Sequence, residues 1–303
     1  MLVLKIAYCD EFDFFKDLCE LKEILKKKDI TIGIVENIEG DTHIIKVICS
    51  DEDYDERLFR RINLYISNIL YRLVINEYRK KEMFQFLTET YFFLKQEEIL
   101  IIEDNIIKVL SMLEKPEEEI FIFCYNKINT IIEKIEECIE ENKEININGF
   151  IRFRMKELRE DIESIIDKVV EKYIVEKEYE EFIRLLRYFV EIQDSKIDEV
   201  NIYIKQYGGY IVEDDKGEDI FNQFLKELSD SELNIVDANI EDIIISGLIT
   251  NVPKKIIIRG YDNCSNKEFI RTIENVFGDR VQLSMNCEKC NSEKINYNKV
   301  LTE

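Results

Sequence analysis

Cys287-Glu-Lys-Cys290 is the sharpest local chemical motif in the chain. Two thiolates separated by two residues supply half of a tetrahedral zinc site, or form a redox dithiol. A closed structural zinc site takes four ligands. Cys264 is the nearby third thiol, and Asp262 or a second protomer is the available fourth donor. A redox dithiol belongs at the start of a helix that follows a strand, where the helix dipole lowers the thiol pKa. This pair lies instead in a polar stretch near the C-terminus. The reading carried forward is inert thiols, with zinc at Cys287, Cys290 and Cys264 as the alternative and no other cofactor expected.

A second candidate is basic. Arg152, Arg154 and Arg159 are followed by Lys177, Arg184 and Arg187. Arg184 and Arg187 are three apart and share a helix face, and Lys177 lies two turns before Arg184. In an acidic chain such a cluster can hold a phosphate, an acidic peptide or a nucleic-acid backbone. The competing reading is ion pairing with Glu176, Glu178, Glu180 and Glu181, and composition favours it. Arg152, Arg154, Lys177, Arg184 and Arg187 stand as the anion- or partner-binding candidates.

Other chemistries lack their residues. His43 is the single histidine, so triads, Cys-His dyads and two-histidine zinc helices have too few participants. It sits beside Ile44 and Ile45 in an expected strand and reads as structural or exposed. Neither G-x-x-x-x-G-K-[ST] nor G-x-G-x-x-G occurs, so the standard phosphate cradles are missing. Asp214-Asp215 and Glu241-Asp242 have the form of metal-binding pairs, but 64 acidic residues produce such pairs by chance. Asp214-Asp215-Lys216-Gly217 reads as a turn, and Asn239 with Asp242 as a helix start. No catalytic residue is assigned.

The elements that must position these groups follow from composition and period. The chain has 303 residues, 46% hydrophobic, with 2 Pro and 9 Gly, which favours helix and short connections. Net charge is −22, which disfavours nucleic acid and anionic membranes and leaves another protein as the expected partner. Lys5 interrupts the first apolar run, and no stretch offers the ~18 uncharged apolar residues of a membrane span. The expectation is a cytoplasmic protein without membrane insertion, its eight cysteines reduced.

Residues 1–50 read as a small α/β unit. Leu2–Tyr8 predicts a strand, and Phe12, Phe15, Leu18, Leu21 and Leu25 a helix. Thr31–Val35 and His43–Cys49 flank the turn Glu39-Gly40-Asp41. Residues 51–194 read as helical. Leu58, Ile62, Ile66, Ile69 and Leu73 form one stripe, and Glu98 to Leu113 continues the pattern up to Pro116. Cys124, Ile128, Ile131, Ile135 and Cys138 form another. Asn146 to Gly149 reads as a break, and a long helix follows with Met155, Leu158, Ile162, Ile165, Val169 and Tyr173 inward. Residues 197–303 read as a second α/β unit with the polar C-x-x-C tail. Within it, Val200–Ile204 and Tyr210–Val212 form a hairpin through Gly208-Gly209, followed by helices over 218–228, 240–249 and 268–277, and strands at 255–258 and 281–283. The fold class is α+β.

Gly149-Phe-Ile-Arg-Phe-Arg-Met-Lys-Glu-Leu158 and Lys177-Glu-Tyr-Glu-Glu-Phe-Ile-Arg-Leu-Leu-Arg-Tyr-Phe-Val190 resemble the hallmark of the YtxC-like family. Ile245-Ser-Gly-Leu-Ile-Thr-Asn-Val-Pro-Lys-Lys-Ile-Ile-Ile258 is similar to that family's C-terminal part. The resemblance covers roughly residues 145–290, while the first 140 residues match in length and texture alone. It implies endospore-forming bacteria and a link to sporulation, and it brings no established activity and no catalytic residues. The expected function is a non-enzymatic binding or regulatory factor of sporulation. The alternative is a metal-assisted enzyme acting on a phosphorylated or nucleic-acid substrate. A basic cleft would favour the enzyme or nucleic-acid reading, and an exposed apolar patch a protein partner.

Overall fold

The computed structural model describes residues 1–9, 14–27, 30–50, 55–112, 119–141, 144–206, 208–229, 239–285 and 288–291. It is an α+β protein of two units, Met1–Val175 and Glu176–Glu303. The segment 1–50 and most of 51–194 share the first unit, and the end of the long helix joins the C-terminal segment in the second.

In the first unit β1 (Leu2–Cys9) lies between two neighbours. On one side is β3 (Thr42–Cys49), antiparallel to it and also to β2 (Ile32–Glu39). The β2–β3 turn passes through Gly40 at φ +63°, a left-handed conformation that glycine adopts without a Cβ penalty. Alternation buries Leu4, Ile6 and Tyr8 of β1 with Ile45, Val47 and Cys49 of β3. Helix α1 (Phe14–Lys26) covers them with Phe14, Leu18, Leu21 and Leu25. Phe14, not Phe15, takes the inward position, because a 4-3-4 spacing holds a straighter stripe than 3-3-3-4. Phe12 lies outside the described residues.

Helix α2 (Glu56–Tyr78) buries Leu58, Ile62, Ile66 and Ile69 as expected, and leaves Leu73 half-buried. Leu70, Val74 and Tyr78 are buried as well, because α2 packs against both α1 and α5. A five-residue π-helical turn, Arg79–Met83, leads into α3 (Phe84–Thr90). Next come α4 (Gln96–Leu110) and α5 (Glu119–Glu141); Leu113 and Pro116 lie outside the described residues. On α5 the stripe ends at Ile139 while Cys138 is half-buried; Ile132 is buried too, so Ile128, Ile132, Ile135 and Ile139 hold one 4-3-4 face.

The expected break at 146–149 is a strand followed at once by a helix. Strand β4 (Glu144–Asn146) pairs in parallel with β1 on its free edge, Ile6 opposite Ile145. Helix α6 (Ile147–Ile192) begins at the next residue. Asn146 Oδ1 accepts from Gly149 N at 2.8 Å, so the polar residues that read as a break cap the helix. Met155, Leu158, Ile162, Ile165 and Val169 point into the first core, and Tyr173 is half-buried at its edge.

In the second unit the sheet order is β6-β5-β7-β8. The hairpin of β5 (Glu199–Ile204) and β6 (Tyr210–Asp214) is as expected, and β7 (Lys255–Arg259) and β8 (Val281–Ser284) extend it in parallel. Helices α7 (Phe221–Ser229), α8 (Ile240–Asn251) and α9 (Lys267–Phe277) share one core with the sheet and with Ile183 and Val190 of α6. The crossing of α7 and α8 is close at Gly247, where an added Cβ would overlap the Phe224 ring. In an open helix, Gly→Ala stabilises by about 1 kcal/mol. Here Gly247→Ala is expected to destabilise by about 1–3 kcal/mol through overpacking. Urea unfolding of both proteins checks the sign, and a stabilised variant would show that the crossing is loose.

Candidate functional site

The sequence candidates separate when placed in the fold. Lys177 Nζ lies 3.8 Å from Glu181 Oε1, one turn along the helix. Arg187 donates from Nε and Nη2 to the Asn275 carbonyl, at 3.2 and 2.5 Å, and so ties α6 to α9. Arg154 Nη1 donates to Glu157 Oε2 at 2.5 Å. Each of these three has a local structural partner. Arg152 and Arg184 make no hydrogen bond or ion pair with any described residue. Arg152 and Arg154 belong to the first unit, and Lys177, Arg184 and Arg187 to the second.

Arg152 lies on the wall of a groove of about 440 Å³ in the first unit. Pairing of β4 with β1 sets the point where α6 begins. Asn148 Oδ1 then accepts from Cys9 N at 3.0 Å, which locks the first turn of α6 to the end of β1. Asn148 itself lines the groove. One turn on, Arg152 lines the same groove together with the buried Ile151 and Met155. Glu77, Lys81 and Glu82, from the end of α2 and the π-helical turn, form the opposite wall. A π turn places one extra residue in the loop of the helix and re-aims the side chains after it. The two acids are already occupied: Lys81 Nζ is 2.6 Å from Glu77, and Arg159 Nη2 is 2.6 Å from Glu82. Arg152 thus stands as a cation without a described counter-charge near the positive end of a long helix dipole.

Sequence reasoning singled out Arg152 but not the residues across the groove from it, because Glu77 and Asn148 are some 70 positions apart. The available signal was the run Arg79-Lys80-Lys81-Glu82, which interrupts an otherwise periodic apolar stretch.

The remaining candidates are structural in their surroundings. His43 Nδ1 lies 2.7 Å from Glu36 Oε1, its ring stacks on Tyr8 at 4.8 Å, and the Tyr8 hydroxyl donates to the same carboxylate. Cys264 is buried, and its thiol donates to the Asn266 carbonyl at 3.1 Å. Beside it Tyr210 donates to Glu241, and burial and that hydrogen bond push the Tyr210 phenol far above its ordinary pKa. Cys290 is buried against Gly260, where a Cβ would stand 2.9 Å from its sulfur. Cys287 lies outside the described residues. Among the described residues, no three His, Cys, Asp or Glu side chains converge to hold a metal.

The two mixed units make this a helix-rich α+β protein with a charged groove at the start of α6. No helix of the described residues is long and apolar enough to cross a membrane. The chain belongs to the YtxC-like family, whose model matches residues 64–282. That match reaches back through α2, well before the residues that carried the resemblance in sequence. A relative, the uncharacterized protein YtxC of Bacillus subtilis (strain 168), is 23% identical over 231 residues, 73% of this chain and 77% of the relative. No solved structure matches.

The frame that holds α6 in place has a charged pin. Asp161 is buried and accepts from Lys127 at 3.2 Å and Lys134 at 2.5 Å, both on α5. Burial alone would raise its pKa, but the two ammonium hydrogen bonds and charges outweigh it and hold the carboxyl below its ordinary value. The folded state therefore prefers the carboxylate. That contribution is complete above the unfolded pKa of ~3.9 and is lost as pH falls through the lower folded value. Asp161→Asn is expected to cost about 1–3 kcal/mol at pH 7, toward the low end because both lysines are partly exposed. Urea unfolding at pH 7 and at pH 3 should show the two proteins converging in acid; an equal gap at both would refute the charged pin.

Proposed function

We propose that this chain is a non-enzymatic binding protein that captures an acidic segment of another protein in the Arg152 groove. The observation that carries the reading is the Arg152 guanidinium, unpaired among the described residues on the wall of a cleft that Ile151 and Met155 also line. A guanidinium fork suits a carboxylate, because two parallel N–H donors match its two oxygens. Lys81 and Asn148 line the same groove. An exposed ion pair contributes only about 0.2–1 kcal/mol, so Ile151 and Met155 must supply contact area for apolar side chains next to the acid. The net charge of −22 repels an acidic partner at long range, but physiological salt screens charges beyond about 8 Å. The cytoplasm and sporulation are proposed as the setting, following from the reducing-compartment reading of the cysteines and from the family resemblance.

The test is fluorescence anisotropy of a labelled peptide that alternates Glu and Leu. Arg152→Glu is expected to weaken binding about five- to tenfold through lost attraction and added repulsion. Arg154→Gln, whose parent side chain is already paired, should leave it nearly unchanged. Binding that ignores Arg152→Glu would sink the reading. A tagged protein purified from sporulating cells should lose the same companion on Arg152→Glu.

A further inference from the structure

Helix α6 carries two apolar faces within its last four turns, and one of them is exposed. Tyr179, Ile183, Leu186 and Val190 follow a 4-3-4 spacing and pack into the core of the second unit. Phe182, Leu185, Phe189 and Ile192 follow a 3-4-3 spacing on a neighbouring face and are exposed by 53%, 52%, 41% and 60%. Tyr188 extends this stripe with 58% exposure, its ring 6.3 Å from Phe189. A helix apolar on two sides is the pattern of an element held between two packed layers, and among the described residues only one layer covers it. The 3-4-3 spacing is that of a seam between paired helices, in which alternate side chains seat between residues of the facing helix.

We propose that this stripe pairs with the same stripe of a second copy of the chain, the two helices antiparallel about a two-fold axis that passes between Leu185 and Phe189. The argument is self-complementarity. Reflected about position 187, residue 182 meets 192 and residue 185 meets 189, so each pairing sets an aromatic ring against an aliphatic side chain. Phe182 lies against Ile192 of the second copy, and Leu185 against its Phe189. An isologous interface requires this match of a surface with itself. The five side chains expose roughly 500 Å² per protomer, so a pair that covered all of it would remove about 1,000 Å² from water, below the ~1,200 Å² of standard interfaces and in the range of a weak, concentration-dependent dimer. Their charged neighbours Glu181 and Arg184 lie on the rim of the stripe, where solvent still reaches them.

The full-length protein should run at twice the chain mass in size-exclusion chromatography with light scattering at micromolar concentration. Leu185→Glu and Phe189→Glu should each give monomer with unchanged far-ultraviolet circular dichroism, since the replaced side chains are exposed. Leu185→Phe alone should weaken the dimer at least tenfold, and adding Phe189→Leu should restore it, because the pair keeps its ring and its aliphatic partner. A photocrosslinking side chain at Phe182 should join to the segment around Ile192 of the other copy. A wild-type monomer at these concentrations, a dimer indifferent to both glutamate variants, or a crosslink to any other surface overturns the proposal. None of these outcomes touches the peptide measurement at Arg152, which lies in the other unit.

Discussion

Three residues of strand govern the first unit. The parallel pairing of Glu144–Asn146 with Lys5–Ala7 closes a loop of roughly 135 residues. That closure is entropically costly, and three strand residues cannot offset it alone. The offset comes from one continuous core, from Val3 of the first strand to Val170 of the long helix, which forms only when the helices return to the sheet. The pairing also fixes rotation. A slip of one residue would turn Ile145 outward and carry the start of α6 with it. Arg152 faces its groove because Ile147 and Ile151 are held inward by that register.

From that starting point α6 runs for 46 residues, and its apolar pattern changes along its length. Its first half presents Met155, Leu158, Ile162, Ile165 and Val169 to one core, and its last turns present Ile183 and Val190 to another. Electrostatics then works locally against a strongly acidic background. Most basic side chains described on α6 are tied to a nearby glutamate or a carbonyl, which explains how a cluster that looks basic in sequence leaves few open cations in space.

The stretches of even periodicity were legible. The hairpins, α2, α8, α9 and the parallel strands of the second unit lie within a few residues of where alternation and 3-4 spacing put them, because local propensity and burial agree there. Two misreadings share one cause. Phe14 replaces Phe15, and Ile139 replaces Cys138, where two adjacent apolar residues offered two registers and packing chose. Asn146 to Gly149 read as a break because its polar residues carry the same signal whether they end a helix or cap a new one. The facing wall of the groove was invisible because no local pattern links α2 to the start of α6.

Sequence alone determined the class of the fold, the helical middle and the second hairpin. Each follows from interactions a few residues apart, which composition and period encode directly. Tertiary structure alone decided the β1–β4 pairing, which of the basic residues has a partner, and which of two apolar faces on the last turns of α6 is covered. Those outcomes depend on contacts between distant segments, where many sequence-compatible arrangements compete and only the packed core selects one.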